Sequence, residues 1–204
     1  EIGKWTAAKL GGEKATIALI DLFDDKVVSV DYNRDQGFLD GMGIDTADAE
    51  ANGDEASTGS YSGGDYEIVG NEASQGAEDG GRTAAETLLS KNPDINVVYT
   101  INEPAAQGAY AAIKAAGKTD DVVVTSIDGG CLGVKYVKYG RVAATVMQFP
   151  YKMAQMGVDA VAEYAKSGKK PTGFVNTGSF LITGKPLPGL DSKDLEFGEK
   201  NCWG

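Results

Sequence analysis

The fold of this chain is decided by Val97-Val-Tyr-Thr-Ile-Asn-Glu103, which is followed directly by Pro104. The run is rich in β-branched and aromatic residues, which predicts a central strand that is covered on both faces. Proline has a preset φ and no N–H, so it suits the first position of a helix, and residues 105–117 continue with helical spacing. Asn102 is therefore predicted to lie at the carboxyl end of a parallel strand, where open α/β sheets place their ligands.

Strands and helices alternate along the rest of the chain. Apolar runs predict strands at residues 15–22, 66–69, 122–127, 141–147 and 174–182. Helices are predicted at residues 1–10, within 26–41, before Asn92, at 132–139, and from Pro150, with an apolar stripe at Ala154, Val158, Val161 and Ala165. Residues 45–64 are acidic and rich in glycine and serine, which is typical of a long surface loop. This alternation predicts an α/β protein with a mostly parallel sheet.

The composition excludes several classes of function. The 204 residues include 19 basic and 30 acidic side chains, and the net charge of −11 argues against a nucleic-acid surface. There is no histidine, which excludes Ser-His and Cys-His nucleophiles and histidine metal sites within this chain. The acidic segment does not have EF-hand spacing, and no G-x-G-x-x-G motif follows a strand, so we expect neither a metal site nor a cofactor.

Four apolar runs end in the same way, with one polar side chain followed by a turn. These residues are Asp21, Asn102, Asp128 and Gln148. Because the carboxyl ends of parallel strands lie along one edge of a sheet, we expect these side chains to converge. Carboxylate and amide groups supply hydrogen-bond donors and acceptors in fixed geometry, which suits a neutral polyol.

Other side chains could complete such a site. Arg34 could add charge-assisted donors, and Tyr32 or Phe149 could stack on the C–H face of a sugar.

Each polar residue also has a structural alternative. Asn102 could cap the following helix, and Asp128 before two glycines could form an Asx-turn. Gln148 could satisfy a backbone group where the chain crosses, and Arg34 could be a surface ion-pair partner. The shared topological position of the strand-end residues favours binding.

The two cysteines, Cys131 and Cys202, match no metal spacing. In a reducing compartment they would be buried thiols, whereas in an exported protein they would form a disulfide. The residues alone leave both alternatives open.

Three motifs together resemble a known family. They are Tyr-Thr-Ile-Asn-Glu-Pro-Ala-Ala at 99–106, Ser-Ile-Asp-Gly-Gly at 126–130 and Ala-Thr-Val-Met-Gln-Phe-Pro at 144–150. With them the chain resembles the type I periplasmic sugar-binding proteins of ABC transporters, the ribose- and fructose-binding receptors, which have a doubly wound, mostly parallel sheet with flanking helices.

The resemblance implies a set of binding residues and a disulfide. Asn102, Asp128 and Gln148 would bind sugar hydroxyls, while Arg34 and Gln75 would lie near the pocket. The arrangement of Cys131 with the C-terminal tail Cys-Trp-Gly at 202–204 resembles that of the fructose-binding branch. This resemblance favours a disulfide between Cys131 and Cys202.

The resemblance also implies a division into lobes. Family members have two similar lobes, and residues 1–147 would form the second, sugar-binding lobe, with a truncated first helix. Residues 148–175 would be a helix of the other lobe, and 176–204 a returning strand and tail. We therefore expect that the first lobe belongs to an upstream segment that is missing here. The partners would be a monosaccharide and a membrane permease, and the protein would be a periplasmic or otherwise exported monomer with its signal peptide removed.

Two functions other than transport are alternatives for this chain. Sugar-responsive transcription regulators of the LacI type share the fold, but they carry a basic headpiece, and the acidity of this chain speaks against one. A sugar enzyme could use Asp21 and Asp128 as acid and base, but the chain offers no histidine or metal motif. We therefore expect a binding protein rather than an enzyme.

Overall fold

A computed structural model describes residues 1–204, which form seven strands and seven helices. The strands are β1 (Ala15–Asp21), β2 (Thr58–Tyr61), β3 (Gly64–Ala73), β4 (Val97–Thr100), β5 (Val123–Asp128), β6 (Ala144–Met147) and β7 (Phe180–Thr183). The helices are α1 (Ile2–Leu10), α2 (Ser29–Met42), α3 (Glu78–Lys91), α4 (Glu103–Ala115), α5 (Cys131–Lys138), α6 (Pro150–Ser167) and α7 (Leu195–Asn201). None of these helices has the length and apolarity that crossing a bilayer requires.

The strands form one sheet in the order β2-β3-β1-β4-β5-β6-β7. The five inner strands are parallel, and β2 and β7 pair antiparallel at the two edges. Successive residues of β1 point to opposite faces, because Ile17 and Leu19 pack with α1 and α2 while Ala18 and Ile20 pack with α3 and α4. The sheet is therefore covered on both sides, which confirms the predicted mostly parallel α/β fold.

Two local predictions were wrong. Residues 45–64 are not loop throughout, because β2 forms within them and pairs with β3 as a hairpin. The side chain of Tyr61 holds this hairpin in place, since it is buried and its hydroxyl donates to the Glu13 carbonyl oxygen at 2.7 Å. The last strand does not begin at Phe174, which is 91% exposed, but at Phe180, after the turn at Gly178.

Helix α6 differs from the other helices because none of its residues is buried. Val158 and Val161 of its predicted apolar stripe are 65% and 68% exposed. The stripe therefore does not pack against the sheet that the rest of the chain forms.

The C-terminal tail is fastened to the carboxyl end of β5. Cys131 and Cys202 form the predicted disulfide. The Trp203 indole N–H donates to the Asp128 carbonyl oxygen at 3.0 Å, and the Cys131 N–H donates to the Trp203 carbonyl oxygen at 2.9 Å. These bonds hold the tail beside Asp128, which the sequence analysis predicts as a binding residue.

We expect loss of the disulfide to destabilise the fold substantially. Replacing both Cys131 and Cys202 with serine opens a loop of 71 residues, which the chain-entropy account values at about 4 kcal/mol. Urea unfolding of the double variant should show this loss, and the reduced wild type should behave in the same way. Unfolding free energies within about 0.5 kcal/mol of the oxidised wild type would contradict the expectation.

Candidate ligand-binding site

Three of the predicted site residues meet at the carboxyl edge of the sheet. The Gln148 side-chain amide donates to Asp128 Oδ1 at 2.7 Å. Arg34 Nη2 lies 3.3 Å from the same oxygen, and its Nη1 donates to the Ile101 carbonyl oxygen at 2.8 Å. The Arg34 and Asp128 side chains are only 16% and 15% exposed, so this is not a solvated surface ion pair. The expected convergence of Asp128 and Gln148 is therefore confirmed.

The backbone around Asp128 explains how its carboxylate reaches this position. Asp128 ends β5 with φ of 144°, and Gly129 follows with φ of 67°. A Cβ on Gly129 would overlap the backbone of Met147, so a glycine is required where the chain passes β6. Burial raises the pKa of Asp128, and the charge of Arg34 opposes that effect.

Asn102 performs the capping role that was one of its two alternatives. Its Oδ1 accepts from the Ala105 N–H at 3.0 Å, and its Nδ2 donates to the Gly76 carbonyl oxygen at 2.9 Å. The amide thus ties the start of α4 to the turn before α3. A direct contact with ligand stays a prediction.

Gln75 lies next to that turn. It is exposed and has a left-handed φ of 56°, and its backbone N–H donates to the Leu22 carbonyl oxygen at 2.9 Å. This places Gln75 at the same edge of the sheet as Asn102, and its side chain stays a predicted pocket residue.

Asp21 does not join the cluster of Arg34, Asp128 and Gln148. It lines a neighbouring cleft of about 410 Å³ at the end of β1, where Asn71 Nδ2 donates to its Oδ2 at 2.9 Å. Tyr32, proposed as a stacking residue, lines the same cleft. The expected convergence of the four strand-end side chains is therefore wrong for Asp21. The side chain of Asn102 bonds to Ala105 and Gly76 rather than to the cluster.

The sequence reasoning missed the acidic residues Asp31 and Asp35 of α2. The carboxylate of Asp31 accepts from the N–H groups of Leu22 and Phe23, at 2.9 and 3.1 Å. It therefore holds the loop that follows β1. The i, i+4 spacing of these two residues, on the helix face that also carries Phe38, is the signal that could have placed them inward.

Asp35 is fully buried and hydrogen-bonds to the carboxyl group of Asp21. Its Oδ1 has no N–H donor, and two carboxyl groups can bond to each other only if one of them carries a proton. Burial holds the pKa of Asp35 well above its usual range, with the charges of Asp21 and Glu55 adding to this effect. Burial also raises the pKa of Asp21 to about 6, while the hydrogen bond from Asn71 lowers it. Burial of the pair therefore favours the state in which one of the two acids carries a proton.

Glu103 is a third buried acid that the sequence reasoning missed. It is 6% exposed, and it accepts from the Gly129 and Gly130 N–H groups and from the Thr145 hydroxyl. Burial raises its pKa to about 7, although the hydrogen bond from Thr145 opposes this shift.

The family of the chain follows from comparison with known proteins. The sequence profile of the periplasmic binding protein domain matches residues 1–170. The chain belongs to this family. As a periplasmic binding domain it places its polar cluster at the strand ends, where α/β folds bind ligands.

Curated relatives of this periplasmic binding domain are named as sugar receptors. The ribose import binding protein of Salmonella typhimurium is 39% identical over 90 residues, which are 44% of this chain and 30% of the relative. The D-allose-binding periplasmic protein of Escherichia coli is 35% identical over 104 residues, or 48% of this chain and 33% of the relative. The matched region therefore spans about a third of these relatives.

Solved structures share the fold. An ABC transporter solute-binding protein from Agrobacterium vitis with bound D-fucose has a TM-score of 0.70 and 26% identity, covering 100% of this chain and 61% of that one. A galactofuranose binding protein has a TM-score of 0.72 and 24% identity, covering 89% and 56%, respectively. The periplasmic binding domain thus spans less than two thirds of both structures.

We expect the stability of the domain to fall as the pH rises through about 6. Asp21 and Asp35 bind protons more tightly in the folded chain than in the unfolded chain, so their stabilising effect is greatest at acidic pH and is lost above their folded pKa values. The shift of Asp21 from 3.8 to about 6 corresponds to about 3 kcal/mol. Unfolding free energies measured from pH 4 to 8 should show this decline, because the unfolded chain releases the Asp21 proton near pH 4 and the folded chain releases it near pH 6.

An Asp35→Asn variant tests the origin of the decline, because its amide donates to Asp21 without a titrating proton. We expect a smaller decline than in the wild type, with the remainder due to the other buried acids whose pKa values are raised, which are Asp21, Glu103 and Asp128. Asp40→Asn, at an exposed position of the same helix, serves as the control. Equal slopes for Asp35→Asn and the wild type would refute a proton held by this pair.

Proposed function

We propose that this periplasmic binding domain captures a monosaccharide, a pentose or a hexose, for an ABC importer. The observation that carries the proposal is the cluster of Arg34, Asp128 and Gln148 at the carboxyl ends of parallel strands. The names of relatives that bind ribose and allose point to the same class of ligand.

The cluster offers complementary groups to a pair of adjacent hydroxyls. Asp128 is an acceptor, and the guanidinium of Arg34 supplies donors in a plane that its bond to Ile101 fixes. A polyol hydroxyl both donates and accepts, so it can bridge the carboxylate and the guanidinium. Asn102 and Gln75 would extend this polar edge. The groups bind and orient a sugar without a proton transfer, which is the behaviour of a receptor rather than an enzyme.

We further propose that residues 1–147 form one lobe of a two-lobed receptor and that residues 148–175 belong to the other lobe. The exposed apolar stripe of α6 supports this division, because an exposed apolar surface of this kind is typical of a face that a second surface covers. Residues 176–204 would return to the lobe that residues 1–147 form, since β7 pairs with β6. Gln148 would then lie at the crossing between the lobes, and a sugar that contacts both lobes would favour the closed state.

The proposed location is the periplasm or another exported compartment. The disulfide between Cys131 and Cys202 supports it, because such bonds persist in oxidising compartments. The proposed partner is a membrane permease that accepts the closed, sugar-loaded monomer.

A thermal-shift screen tests the proposed function. We expect at least one sugar among ribose, allose, xylose, arabinose, fructose, glucose, galactose and inositol to raise the melting temperature, because a ligand that binds the folded state stabilises it. Asp128→Asn should weaken binding of that sugar about 10- to 100-fold, since it breaks the ion pair with Arg34 and leaves hydroxyl groups poorly paired.

The matched control is Asp191→Asn, whose carboxylate is 78% exposed; it should bind sugar like the wild type. A wild type whose melting temperature responds to none of these sugars at 10 mM or more would refute sugar capture by this chain. A sugar that shifts the wild type and Asp128→Asn equally would refute the assigned site.

A further inference from the structure

We propose that Glu103 is a positioning residue for the ligand site, because its buried carboxylate fixes the turn that carries Asp128. The inference rests on the proposed role of Asp128 in binding sugar. It makes sugar affinity depend on a side chain that lies beneath the site.

The carboxylate of Glu103 joins three separate elements of the fold. Its Oε1 accepts from the Gly129 N–H at 2.9 Å and from the Thr145 hydroxyl at 2.7 Å. Its Oε2 accepts from the Gly130 N–H at 3.1 Å. Because Glu103 is the first residue of α4, these bonds connect that helix to the turn after β5 and to β6. The two glycines directly follow Asp128.

The surroundings of the carboxylate are shaped for it. A Cβ on Gly133 would overlap the Glu103 carboxylate, so helix α5 approaches it through a position without a side chain. All three of its hydrogen-bond partners are donors. An ionised carboxylate can accept all three hydrogen bonds. A glutamine amide of the same shape has an N–H group in place of one oxygen, and this group would face one of the backbone donors.

The turn has few other means of holding its conformation. Gly129 and Gly130 have no side chains, and Asp128 has an unfavourable positive φ of 144°. On the opposite side, the Asp128 carbonyl oxygen accepts from the Gln148 N–H and from the Trp203 indole N–H, both at 3.0 Å. Glu103 therefore supplies the hydrogen bonds that hold the two glycine peptides, and through them the direction of the Asp128 carboxylate toward Arg34.

The test compares Glu103→Gln with Asn96→Ala, a variant that damages the fold elsewhere. Asn96 joins strands β1 and β4 near their amino ends, accepting from the Thr16 N–H and donating to the Lys14 carbonyl oxygen, both at 2.8 Å. Glu103→Gln disturbs buried hydrogen bonds, and Asn96→Ala removes one half-buried and one exposed hydrogen bond. Of these two residues, only Glu103 touches the turn after Asp128. Sugar affinity is measured by titration calorimetry, and amide hydrogen exchange is measured by NMR.

We expect Glu103→Gln to weaken sugar binding about tenfold or more, because an unpaired buried donor displaces the turn. The amide hydrogens of Gly129 and Gly130 should exchange faster by a similar factor. This increase should exceed any increase in the exchange rates of amides elsewhere in the sheet. Asn96→Ala should lower the melting temperature while its folded form keeps the wild-type affinity. If Glu103→Gln does not fold, Thr145→Val removes one donor to the same carboxylate and should weaken binding to a smaller extent.

The positioning role is overturned if the variant at Glu103, or the Thr145→Val replacement for it, binds sugar as tightly as the wild type. It is also overturned if Asn96→Ala loses as much affinity, since the effect would then follow stability alone. If the wild type binds no sugar, the proposed function fails, and hydrogen exchange decides the positioning role separately. Unchanged exchange at Gly129 and Gly130 would refute it, and faster exchange confined to them would support it.

Discussion

The pairing of β5 with β6 is the constraint on which the ligand site depends. It sets Asp128 opposite Met147, so that the next residue, Gln148, donates both its backbone N–H and its side-chain amide to Asp128. A shift of one residue in this register would send these side chains to the other face of the sheet. The site is therefore a consequence of strand alignment, and the glycine at position 129 is required because the two strands pass so closely there.

Three of the acids around this edge are tolerated because each finds hydrogen-bond donors or a counter-ion. Asp31 accepts from two backbone N–H groups, and Glu103 accepts from two backbone N–H groups and a hydroxyl. The negative charge of Asp128 is compensated by the positive charge of Arg34. Asp35 has no hydrogen-bond partner on its Oδ1, and burial raises its pKa and so favours its protonated form. Burial without donors would cost several kcal/mol for each charge, so these bonds decide which acids stay ionised.

The sequence predicted the sheet and the convergence of Asp128 and Gln148, because apolar strand runs and the parallel topology fix where strand ends lie. Arg34 lies on helix α2 instead, and the family resemblance placed it near the pocket. It did not reveal β2, whose glycine- and serine-rich segment lacks an apolar alternation and pairs through the buried Tyr61. It also missed Glu103, because the donors of that carboxylate come from distant parts of the chain that only the folded sheet brings together. Local sequence patterns do not show which acids the tertiary structure will bury.

The most direct test of this account is an NMR titration of the isotopically labelled chain with the sugar that it binds best. The account predicts that backbone and side-chain resonances of Arg34, Asp128 and Gln148 shift together and saturate with one affinity, with smaller shifts at Asn102. Saturating shifts centred elsewhere, for example in the cleft beside Asp21, would contradict the assigned site. No shifts with any sugar at millimolar concentration would contradict sugar binding itself.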